Sequence, residues 1–205
     1  MGEASKRLRR RHDAKQMLAT IFDNSKNVVV VHYSCESFYD RADGSSPRIT
    51  SIAVRNLGTG QTASFSIHQL AERDGLRIDE INTNYDKLEK KMLKEFYEFV
   101  AKHQNHIWLH WNMRDTNYGF PALAHRFKVF GGTPIEIHES QLCDLSRMLV
   151  SLYGIGYIAH PRLATLVALN HISDLNSLNG EQEAKAFVDG EYVKLHQSTL
   201  RKVDM

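Results

Sequence analysis

The chain has 205 residues, 42% hydrophobic and 24% charged, which is enough apolar material for a sizeable core and argues against general disorder. Lys plus Arg at 26 against Asp plus Glu at 24 leaves a formal net charge of +2, so any nucleic-acid-binding surface has to be local rather than a property of the whole molecule. Two cysteines, neither in a C-x-x-C pair, exclude a disulfide framework and a cysteine-rich zinc site and suit a reducing compartment.

From the start of the chain, Lys6 to His12 is strongly basic, and Ala14, Met17, Leu18, Ile21 and Phe22 follow at helical spacing. A basic arm leading an amphipathic helix is therefore expected over residues 1–26, with Arg9, Arg10 and Arg11 as candidate phosphate contacts. A solvated, solubilising terminus is the plainer alternative. No apolar stretch of signal-peptide length follows, and no apolar run is longer than Val28 to Val31, which is too short to span a bilayer. A cytoplasmic protein without membrane contact is expected.

Residues 28–33 form a β-branched run that reads as a buried strand. Asp43-Gly44-Ser45-Ser46-Pro47 carries the turn chemistry of a loop over residues 40–47, and residues 48–55 and 62–67 read as two strands joined by the Gly58-Thr59-Gly60 turn. From Asp86, the spacing of Leu88, Met92, Leu93, Phe96, Phe99 and Val100 gives the clearest helix, with Lys and Glu between them. Residues 107–111 suit a central strand, and 118–130 a helix stopped by Gly131-Gly132 and Pro134. Further helices are expected around 142–153, 162–170 and 181–196. This order predicts one α/β domain over residues 27–205, with a mixed sheet that begins as an antiparallel meander and is flanked by helices.

Three short stretches carry candidate chemistry. The first strand ends Tyr33-Ser34-Cys35-Glu36; the later strand runs into His110-Trp111-Asn112-Met113-Arg114-Asp115; and Leu178-Asn179-Gly180-Glu181-Gln182-Glu183-Ala184 opens a late helix. On these residues and the order of elements, residues 28 to about 192 resemble the DEDD-type 3'-5' exonucleases of the ribonuclease H-like superfamily. The resemblance implies a ribonuclease H-like fold and a centre in which carboxylates hold two divalent cations that activate a water and steady the leaving oxygen of a phosphodiester.

Carried over residue by residue, the resemblance makes Glu36, Asp115 and Glu183 ligands of Mg²⁺ or Mn²⁺, with His110 completing the candidate catalytic set. Ser34 stands where the family has its first Asp, Trp111 follows His110 where the family has Asn, and Leu178 falls on the position of the general base. Loss of base help alone costs ~10²–10⁴ in rate. The expected function is a divergent metal-dependent nuclease-like protein, a 3'-5' exonuclease or related phosphodiesterase. The alternative is a catalytically inactive exonuclease-fold module that binds nucleic acid, a protein partner or a second copy of itself.

Competing readings attach to the same residues. Asp115 also suits a helix N-cap. Cys35 with His32, His110 or Asn112 would make a thiolate or transition-metal site, against the plainer reading of a small buried residue. Arg114, His125, Arg126 and Lys128 form a candidate cationic face, and Trp111 and Tyr118 candidate stacking platforms for bases. Trp108, Phe120 and Phe127 read as core.

Overall fold

A computed structural model of the protein describes residues 2–37 and 46–205, so most of the loop expected over residues 40–47 lies outside the described residues. Side chains alternate across a strand, and in β1 (Val28–Cys35) both faces are covered. Val29, Val31, Tyr33 and Cys35 join a core with Ile52 and Val54 of β2 (Ile49–Asn56) and with Leu88, Met92 and Phe96 on the apolar stripe of α3 (Tyr85–Lys102). Burying side chains of this size contributes ~1.5–3 kcal/mol each. Val28 on the opposite face joins a second core with Ala14 and Ile21 of α1 (Glu3–Asp23), Leu109 of β4 (Ile107–His110), Cys143 of β5 (Leu142–Asp144), and Met148 and Leu152 of α5 (Leu145–Tyr153).

The five-stranded sheet has the order β3-β2-β1-β4-β5, where β3 is Thr62–Ser66. β1, β2 and β3 form the expected antiparallel meander, whereas β4 and β5 run parallel to β1. The architecture is thus α/β with a mixed sheet between helices. The parallel strands β1, β4 and β5 end on the same side of the sheet, where crevices suited to ligands form in α/β proteins. No helix among the described residues is long and apolar enough to cross a membrane.

Several elements differ from expectation. Residues 6–12 are helical within α1 and exposed on all sides, so the basic segment is a projecting stretch of helix and not an extended arm. Ser66 ends β3 and accepts the amide of Gln69, which starts α2 (Ile67–Arg73), a helix that the strand-like alternation concealed. The helix expected at 142–153 begins with β5, and Asp144 then caps α5. An Asn–Gln capping box starts α7 (Gly180–Val188) at Asn179, and Gly190 in the left-handed region separates it from α8 (Tyr192–Asp204), where one helix over 181–196 was expected. The remaining helices are α4 (Phe120–Val129), which follows Gly119, and α6 (Arg162–Leu169).

Candidate functional site

The capping box at Asn179 fixes the first turn of α7 and leaves Glu183 buried, 1% exposed. On α8, Leu195, Ser198, Thr199 and Lys202 recur at three- and four-residue spacing, so they share one face, and this face packs across β1 and β2. The two helices meet the strand at Ser34, itself fully buried. Ser34 Oγ donates to Glu183 Oε1 at 2.7 Å, Ser198 Oγ donates to the same oxygen at 3.0 Å, and Lys202 Nζ donates to it at 2.7 Å. Thr199 Oγ1 lies 3.0 Å from Ser34 Oγ and 2.7 Å from Ser51 Oγ. A buried carboxylate is therefore neutralised by an ammonium whose side chain is 11% exposed, with hydroxyls spreading the charge.

The three carboxylates have separate surroundings. Asp115 is exposed, and its Oδ1 accepts the amides of Asn117 at 3.0 Å and Tyr118 at 2.7 Å, so it closes a turn ahead of α4 and is not the helix N-cap, a position held by Gly119. Glu36 Oε2 accepts the Arg48 amide at 3.3 Å. Among the described residues, no three His, Cys, Asp or Glu side chains are grouped to hold a metal ion. The donor set does not suit Mg²⁺ or Mn²⁺, which ask for several oxygen ligands with full charge. Ser34 supplies a neutral hydroxyl, and Glu183 Oε1 is already shared by an ammonium and two hydroxyls. Glu183 Oε2 is buried without a hydrogen-bond partner, but it is one oxygen beside a fixed cation.

Leu178, at the position implied for the base, gives its amide to Ser198 Oγ at 3.0 Å and offers nothing basic. His110 is 4% exposed at the end of β4, and its Nδ1 accepts the Met113 amide at 3.2 Å. Burial lowers its pKa to about 4, against the opposing pull of Asp144. It faces Asp144, Arg114 and Arg147 rather than the Glu183 cluster. Cys35 is no nucleophile: burial, with Glu183 adding to it, pushes its thiol up to about 12. His32 places Nδ1 3.2 Å from the Tyr118 hydroxyl, and burial keeps it neutral, helped by the charge on Lys202.

The residues expected to touch nucleic acid fall into two groups. Arg9, Arg10 and Arg11 are exposed along α1, and Trp111 is half-exposed in the turn after β4. Arg114 is engaged with Asp144, its Nε 3.0 Å from Oδ2. Arg126 is not on the expected cationic face. It is buried, and it grips Glu89 of α3 through two contacts of 2.9 and 2.7 Å, while Glu89 also accepts the Ile49 amide. It ties α4 to α3 and β2 and is closed to phosphate. Tyr118 also turns inward: its ring stacks on Tyr33 at 4.5 Å, and its hydroxyl donates to Tyr33 O.

Lys202, Ser198 and Thr199 were not foreseeable from any short motif. The spacing of Leu195, Ser198, Thr199 and Lys202 is the one signal in the sequence, and it becomes readable only when a helix is started at Tyr192. No protein-family model, no curated protein and no solved structure matches the chain.

Proposed function

We propose that this chain is a nucleic-acid-binding module on a ribonuclease H-like frame, in which an internal ammonium balances the buried carboxylate where cations would sit in a nuclease. The observation that carries this reading is the contact of Lys202 with Glu183, at 2.7 Å, beside Ser34. The mixed sheet with its opening meander supports the frame, because it brings Ser34 and Glu183 together across 149 residues of sequence.

The binding element is α1. Lys6, Arg7, Arg9, Arg10, Arg11, His12 and Lys15 are all exposed on a helix anchored to the body through Ala14 and Ile21. A cluster of cations around one helix neutralises phosphates and releases counterions without reading sequence. Trp111 offers a ring to one base.

The test is binding of labelled single-stranded DNA and RNA, with and without Mg²⁺ or Mn²⁺, across a salt series. Binding should need no divalent cation, and the strands should stay intact. The combined Arg9→Gln, Arg10→Gln and Arg11→Gln variant should flatten the salt dependence by ~0.7 of a slope unit for each phosphate it no longer neutralises. Divalent-cation-dependent cleavage abolished by Asp115→Asn or Glu183→Gln would replace this reading with the second one, a divergent nuclease using Glu36, Asp115 and Glu183. That reading draws on the same convergence of β1 and α7.

A further inference from the structure

A cleft of about 630 Å³ opens beyond the ends of β4 and β5, between α4 and the segment 134–142, with no residue of α1 in its lining. Its size lies within the ~300–1,000 Å³ usual for small-molecule sites. Its walls are largely aromatic and aliphatic, including Tyr97, Phe120, Ile135 and Ile137. Polar groups converge where the two parallel strands end, since His110 and Asp144 are paired neighbours in the sheet.

Three cations, Arg114, Lys128 and Arg147, and three carboxylates, Asp144, Glu136 and Glu139, line the cleft, and among them only Arg114 and Asp144 form an ion pair. Asp144 Oδ1 accepts the amides of Ser146, Arg147 and Asn112 at 3.0, 3.4 and 3.3 Å, and its Oδ2 lies 3.0 Å from Arg114 Nε. That oxygen is buried and, apart from the ion pair, accepts no hydrogen bond. Beside it stand Arg114 and Arg147, with Lys128 of α4 also lining the cleft, and neither Arg147 nor Lys128 has an ion-pair partner among the described residues. His110 adds a donor, because its Nδ1 accepts from Met113 and the proton therefore sits on Nε2. On the opposite wall the exposed carboxylates of Glu136 and Glu139 remain as acceptors. One wall thus suits anionic oxygens, the other suits hydroxyl or amine donors, and an apolar slot lies between them.

We propose that this cleft binds a nucleoside monophosphate, with the phosphate at Arg114, Arg147 and His110, the base against the apolar walls, and the ribose hydroxyls toward Glu136 and Glu139. A simple lipid or aryl carboxylate carries no hydroxyls for the two acidic side chains to engage, and a free phosphate would leave the apolar walls wet. The site goes beyond the nucleic-acid reading and does not depend on it.

Isothermal titration with adenosine 5'-monophosphate, inorganic phosphate and adenosine tests the assignment. The nucleotide should bind at least about tenfold more tightly than either fragment, since it engages both walls. Arg147→Ala should weaken the nucleotide about tenfold or more, the effect of removing a charge-assisted hydrogen bond, and leave adenosine unchanged. Ala124→Trp, which fills the cleft from α4, should abolish nucleotide binding; the exposed Arg147 position serves if that variant does not fold. The combined variant at Arg9, Arg10 and Arg11 should leave nucleotide affinity intact, whatever it does to strand binding. A nucleotide bound no more tightly than inorganic phosphate, or bound equally by wild type and Arg147→Ala, would overturn the proposal.

Discussion

Lys202 on α8 and Glu183 on α7 make a 2.7 Å ion pair with hardly any access to water. Such a pair gains from Coulomb attraction at low dielectric but pays for desolvating two charges, so its net contribution is small while the loss of one partner is costly. Lys202→Met leaves Glu183 buried and uncompensated and should lower the unfolding free energy by ~3–5 kcal/mol. Adding Glu183→Gln should recover much of that. Urea denaturation of the single and double variants measures both steps, and a single variant as stable as wild type would remove the pair from its structural role.

Arg126 and Glu89 give a pH-dependent counterpart. Burial raises the carboxyl of Glu89 above its ordinary value even though Arg126 opposes the shift. A carboxylate raised in this way favours the native state below its unfolded pKa, and that contribution is lost as pH rises through the folded value. Arg126→Ala removes the opposing charge and deepens the loss. The stability gap between wild type and Arg126→Ala should therefore be widest at neutral pH and narrow on acidification, as seen by denaturant unfolding from neutral to mildly acid pH.

His196, which packs 5.0 Å from His68, is held neutral: burial lowers its pKa to about 4, with the charge of His68 acting in the same direction. The unfolded chain takes up this proton near pH ~6.5, whereas the native state resists until about 4, so acidification through that window favours unfolding. His196→Phe should lose less stability than wild type over the same range. His110, also lowered to about 4, should leave a residual dependence in the variant.

Gly119 sits where a side chain has no room. Its φ is +153°, and a Cβ would stand 2.4 Å from the carbonyl carbon of Met113 and 2.6 Å from the amide of Arg114. Its amide also donates to the Tyr33 hydroxyl at 2.8 Å. Gly119→Ala should push α4 away from the turn at 112–115 and lower the melting temperature by several degrees. The displacement should show in the amide shifts of Met113 and Arg114.

The two thiols should be inert in the folded protein. Burial pushes Cys35 up to about 12 and Cys143 to about 11, in each case with a neighbouring carboxylate adding to it. Alkylation at mildly alkaline pH should proceed at the rate of unfolding and reach both residues together. A single fast-reacting cysteine would restore the thiolate chemistry that the sequence left open.

What the sequence determined by itself is local and periodic. The run Val28 to Tyr33 could only be a buried strand, the stripe from Leu88 to Val100 an amphipathic helix, and the Gly58–Gly60 turn a hairpin, because periods of 2 and 3.6 are written in neighbouring residues. Asp115 bonds amides two and three residues on, a local pattern too, but it closes a turn and does not cap α4. Tertiary structure decided the rest. Arg126, which read as part of a cationic face, and Glu89, one of the polar residues between the apolar positions of α3, are buried because each answers the other across 37 residues. β5 exists because β4 offers it a parallel edge, which overrides the helical pattern around Leu142. Ser34 and Glu183 meet only through the packing of α7 and α8 on the sheet, and Lys202, absent from any local motif, then sets the charge of the site. Periodicity reports which face of an element is apolar; which distant charge will neutralise a buried one depends on desolvation and contact geometry that exist only after the chain has folded.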